Sequence, residues 1–127
     1  MSFTPHHAVV WAEIPVTDLP AARRFYEAVF QWETVLHEDG PNPMAMFPTP
    51  DEMHSIAGHL YPGEPGTGGP TVHLEVPDTL EATADRVRDA GGTVLPMPPV
   101  KIPAGRFMYA TDPDGNSLGL FESDKAA

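Results

Sequence analysis

A chain of 127 residues with 41% apolar and 9% aromatic side chains is long enough for one domain with its own core and too short for two independent ones. Its 18 acidic against 7 basic residues, a formal net charge of −11, repel phosphate backbones and anionic lipid surfaces, so neither nucleic acid nor a membrane is an expected partner. The absence of cysteine removes disulfides, thiolate metal sites and thiol nucleophiles. The sequence has no basic start followed by an apolar run and no stretch near the ~20 apolar residues of a membrane span, so a cytoplasmic location is expected.

The segment from His7 to Val16, rich in Val, Ile and Trp, reads as a first strand, with Trp11 and Glu13 two residues apart and therefore on one face. Asp18 is a candidate N-cap before Leu19, Ala22, Phe25, Tyr26, Val29 and Phe30, whose three-and-four spacing gives a helix with one buried stripe. Short strands are predicted at Thr34–His37, Met44–Phe47 and Ile56–Tyr61. The proline- and glycine-rich run Pro62 to Pro70 cannot continue a sheet or helix and reads as a linker.

Thr71 to Val76 then alternates Thr, His, Glu against Val, Leu, Val, which puts His73 and Glu75 on one face of a strand. Asp78-Thr79-Leu80-Glu81 resembles a capping box, Leu80, Ala84, Val87 and Ala90 form a thinner helical stripe, and Gly91-Gly92 ends it. Further strands are predicted at Thr93–Met97, Arg106–Ala110 and Ser117–Glu122, the last two joined by the turn Asp112-Pro113-Asp114-Gly115-Asn116. Pro96 to Ala104 is stiff and serves as a rim or as a connection. The seven cations read as solvated helix faces.

The chain also echoes itself. Glu13-Ile14-Pro15, a helical stretch and Thr34-Val35-Leu36 recur as Glu75-Val76-Pro77, a helical stretch and Thr93-Val94-Leu95. This predicts an α+β domain over 1–127 made of two βαβββ modules, about 7–61 and 71–122, joined by the linker 62–70, since neither half alone buries its apolar face.

The runs from Val10 to Leu19, Arg24 to Phe30 and Asp112 to Asn116, in this order and within a repeat, resemble the vicinal oxygen chelate superfamily, which includes glyoxalase I, bleomycin-resistance proteins, fosfomycin-resistance enzymes and extradiol dioxygenases. The resemblance spans about Ala8 to Glu122. It implies a single open, barrel-like concave sheet with the helices outside and a pocket inside, and it implies a homodimer. Metal-using members place a ligand on the first strand of each module and another near the last strand of each. Those positions resemble Trp11, Thr71, Gly119 and a fourth near Gly58 or His59. Tryptophan, threonine and glycine are poor ligands for a divalent ion, so no metal and no cofactor are expected.

Glu13 and His73 are the candidate acid–base pair: a carboxylate beside an indole in a partly dry pocket has its proton affinity raised, and a nearby imidazole can exchange that proton. The plainer reading is that both are solvated side chains of a wet groove. Trp11, His59, Thr71, Glu75, Gly119 and Phe121 are candidate ligand contacts, with Gly119 leaving volume where other members carry a carboxylate. The resulting expectation is a metal-independent protein that binds a small apolar or aromatic molecule. Two alternatives stand beside it: a lyase or isomerase using Glu13/His73 proton transfer, and a metal-dependent lyase or dioxygenase with displaced ligands Glu13, His59 and His73. Whether the protein is an enzyme is not decided by the sequence. A serine nucleophile with partners, a phosphate-cradling glycine loop and a dinucleotide signature are all missing.

Overall fold

The computed structural model describes residues 2–5, 7, 9–40, 42–51, 55–66 and 68–124. The elements are β1 (Trp11–Val16), α1 (Leu19–Phe30), β2 (Val35–His37), β3 (Met44–Met46) and β4 (Ala57–Pro62), followed by β5 (Val72–Glu75), α2 (Leu80–Asp89), β6 (Thr93–Val94), β7 (Val100–Ile102), β8 (Gly105–Thr111) and β9 (Ser117–Ser123). They form two sheets, ordered β1-β4-β3-β2 and β5-β9-β8-β6, with β7 also paired to β8. In each sheet the first strand lies parallel to the last, Trp11 opposite Ala57 and His73 opposite Gly119, and the other pairings are antiparallel. The fold is therefore α+β with curved sheets and no closed barrel. The concave surface divides at a seam between β1 and β5 instead of running on as one ladder.

α1 forms where its apolar spacing predicts. Asp18 caps it by accepting from the backbone N–H of Ala21 at 3.0 Å, and Leu19, Ala22, Phe25, Tyr26, Val29 and Phe30 are its buried face. It ends at Gln31, whose φ of 60° is left-handed. α2 is capped differently from the expectation. The N-cap is Thr79 and not Asp78, accepting from Ala82 N–H at 3.1 Å, so the return-arm position falls on Ala82, which has no side-chain acceptor, and Glu81 bonds to Arg106 (2.8 and 3.0 Å). Asp78 instead grips the Arg86 guanidinium at 2.8 and 2.9 Å, and that hydrogen bonding holds its carboxyl down at about 2. Arg86 and Arg106 are thus wired into the structure and are not merely solvated cations.

Both helices pack on the convex sheet faces. Ile14 and Val16 of β1, Leu60, Leu74, Leu118 and Leu120 join the helical stripes in one buried cluster. β6 is shorter than the predicted Thr93–Met97 strand because Pro96, Pro98 and Pro99 supply no N–H donors. After Leu95 N–H bonds to Tyr109 C=O, pairing resumes on the same edge of β8 as β7, opposite Gly105–Phe107.

The turn between β8 and β9 also clamps the two halves together. Tyr26 Oη donates to the buried Asp112 carboxylate at 2.8 Å, and burial together with that charge pushes the phenol well above its ordinary range. Asn116 Nδ2 donates to Pro15 C=O at 2.8 Å, and Thr17 donates through N and Oγ1 to Asp114 at 3.3 and 2.6 Å. Gly115, at φ 91°, lets the chain reverse there.

Candidate functional site

Along β1, Ile14 and Val16 face the helices, so Trp11, Glu13 and Pro15 face the other way. On that side a cleft of about 960 Å³ opens at the seam. Its walls are Trp11, Glu13 and Pro15 of β1 and Thr71 and His73 of the second module, and linker residues 64–66 and 68–70 run across it. A second hollow of about 350 Å³ lies beyond Trp11, against Val35, Met46 and Phe47, so the indole forms a wall of both.

The ladder places His59 opposite Glu13. This fixes the register left undecided between Gly58 and His59: a Cβ on Gly58 would run into the backbone of Ala12, whereas His59 shares the face of Trp11 and Glu13. Trp11 Nε1 donates to His59 Nδ1 at 3.0 Å, and His59 Nε2 lies 3.4 Å from Glu13 Oε1. An imidazole that accepts at Nδ1 carries its proton on Nε2, so the neutral ring presents an N–H to the carboxylate. His59 is 7% exposed, while the Glu13 side chain is 63% exposed. The partly dry surroundings expected for Glu13 are therefore not found, because its carboxylate stands in water.

The expected Glu13–His73 pair is replaced by Glu13–His59. His73 turns its ring against Phe107 and Tyr109, with centroids 4.9 and 6.1 Å away in edge-to-face geometry, an arrangement worth about 0.5–1.5 kcal/mol per pair. The same ring corrects the reading of Gly119. A Cβ built on Gly119 would land on the imidazole, so the missing side chain makes room for His73, its ladder partner, and not for a ligand. Thr71 Oγ1 shares a 2.6 Å hydrogen bond with Ser117 Oγ. Glu75 and Phe121, paired farther along the same ladder, do not line the cleft.

Of the residues singled out from sequence, Trp11, Glu13, Thr71 and His73 come together in one cleft, and His59 and Gly119 are the ladder partners of Glu13 and His73 on the adjoining strands. Sequence reasoning missed the linker as a wall. The available signal was its proline content and short span, which force it over the seam it bridges. His37 ends β2, as it ends the strand predicted there, and His6 and His54 lie outside the described residues.

The donor set does not fit a divalent ion. The lone pair on His59 Nδ1 is engaged by the indole, Thr71 is bonded to Ser117, and the space at Gly119 is filled by a ring. Among the described residues no three of His, Asp and Glu converge as a metal-binding group, so the displaced set Glu13, His59 and His73 does not assemble.

The family model described as the Glyoxalase/Bleomycin resistance protein/Dioxygenase superfamily matches residues 5–120. This chain belongs to that superfamily. The superfamily member is 30% identical over 122 residues to proteins of Mycobacterium tuberculosis and Mycobacterium bovis named "Putative glyoxylase CFP32", covering 91% of this chain and 45% of theirs. It therefore spans about half the length of the curated relatives it matches. Its fold is shared with a glyoxalase/bleomycin resistance protein from Albidiferax ferrireducens (TM-score 0.67, 20% identity, 93% of this chain and 100% of that one). It is also shared with TnmS3, described as an antibiotic binding protein from a Streptomyces species (0.64, 21%, 96% and 100%), and with the fosfomycin resistance protein FosX from Listeria monocytogenes (0.67, 13%, 97% and 94%). Among the described residues no helix of this superfamily member is long and apolar enough to cross a membrane.

Proposed function

We propose that this protein is a metal-independent binder of a small apolar or aromatic molecule, held between β1 and β5 within one domain built of the two modules. The observation that carries the reading is the cleft itself. Its volume of about 960 Å³ lies at the upper end of the roughly 300–1,000 Å³ of small-molecule sites, and Trp11, 42% exposed, offers an indole face to whatever enters. The donor chemistry around His59, Thr71 and Gly119 supports binding without a metal. TnmS3, described as antibiotic binding, shares the fold, which is consistent with such a use. Proton-transfer chemistry is less well supported, because Glu13 is water-facing and its imidazole neighbour is His59, while His73, also on the cleft wall, leans edge-on against Phe107 and Tyr109.

Calorimetric titration with a panel of aromatic small molecules tests the proposal. Saturable one-to-one binding is expected, unchanged by a chelator and abolished in Thr71→Trp, which fills the cleft. A panel with no binder, or binding that needs an added divalent ion, overturns it.

A further inference from the structure

We infer that the cleft is built for an organic cation: an amine, quaternary ammonium or phosphonium carrying apolar or aromatic groups. This rests on the binding reading above and narrows it to one charge class. The charged side chains among the described cleft-lining residues are Glu13 and Glu64, both acidic, and neither lysine nor arginine is present there. The other titratable group, His73, is packed against Phe107 and Tyr109.

Five acids elsewhere meet guanidinium groups. Arg23 faces Glu27, Arg86 faces Asp78, Arg88 faces Asp85, and Arg106 lies between Glu81 and Glu122. Glu13 is treated differently, since its charge neighbour is the neutral His59 N–H described above. The carboxylate has no guanidinium or ammonium partner among the described residues and stands beside an exposed indole. Any ligand that fills the cleft strips water from Glu13 and Glu64. A neutral apolar guest leaves that loss uncompensated and an anion adds repulsion, whereas a cation replaces the lost water electrostatically. The Trp11 face attracts the same sign of charge through its ring quadrupole, and the net charge of −11 draws cations toward the surface.

Three probes of nearly one shape and different charge test this on the full chain: tetraphenylphosphonium, neutral triphenylphosphine oxide and anionic tetraphenylborate. Tetraphenylphosphonium is expected to bind about tenfold or more tighter than the phosphine oxide, with tetraphenylborate not binding. Glu13→Gln and Glu64→Gln are each expected to weaken the phosphonium by roughly three- to tenfold and to leave the phosphine oxide unchanged. Glu33→Gln, an exposed acid away from the cleft, should change neither. Added sodium chloride should weaken the phosphonium alone. Equal binding of the neutral and cationic probes, or a preference for the borate, overturns the cation inference while leaving the cleft as a binding site. Binding of none of the three overturns both.

Discussion

The two halves put different chemistry on matching parts of their sheets. Where the first strand of module one meets its last, side chains are wired by polar contacts: indole to imidazole to a carboxylate in water. Where the same strands meet in module two, His73 covers Gly119 and leans on two aromatic rings. A duplicated backbone thus supplies one polar wall and one packed wall to the same cleft. The contrast shows that ligand chemistry is set by which side chain occupies the ladder position, and not by the ladder, which is alike in both halves.

The comparison depends on the halves being held in place, so the largest effect is expected at the clamp. Asp112→Ala orphans the donors of Tyr26 and Asn116. Urea unfolding should show a loss of about 3 kcal/mol or more, since each orphaned buried group costs about 1–3. A drop below 1 would mean that the clamp contributes little. Next comes the packed wall. Gly119→Val should cost about 1–3 kcal/mol by overpacking against His73, and His73→Ala in the same chain should recover part of it. Simple additivity of the two changes would show that the ring does not fill that space. On the polar wall, Trp11→Phe keeps the apolar surface but removes the N–H given to His59, for an expected loss of about 1 kcal/mol. Glu13→Gln, on a mostly exposed side chain, should shift stability by less than about 0.5 kcal/mol while changing cation binding, which separates the function of that wall from its structural role.

The smallest effect is one of pH. Asp78 is held below the ordinary aspartate range by Arg86, so its contribution is complete above that range and fades as pH falls toward about 2. Asp78→Asn should flatten this part of the acid-unfolding curve. An unchanged acid limb would rule out the pair as its source.

Much of this arrangement was legible locally. The stripe from Leu19 to Phe30 is a matter of helical spacing, the face shared by Trp11 and Glu13 a matter of strand alternation, and the internal echo a matter of reading order. What escaped depends on distant partners. Nothing near Glu13 in sequence announces His59, which reaches it only through the β1–β4 ladder, whereas His73 stands on the strand that matches β1 in the repeat. Gly119 signals a vacancy without saying what fills it. The shortening of β6 was in principle readable, because Pro96, Pro98 and Pro99 break its donor row.

Among the described residues no ladder crosses from β1 to β5. Prising the two sheets apart there sacrifices no interstrand hydrogen bond, and the halves are tied instead by side-chain contacts at and beyond the rim of the cavity: the phenol on Asp112, the Asn116 amide on Pro15, the Thr17 hydroxyl on Asp114. The width of the seam is thus set by side chains and not by a backbone ladder, so substitutions at those contacts are the ones expected to alter it without changing Trp11, Glu13 or His73.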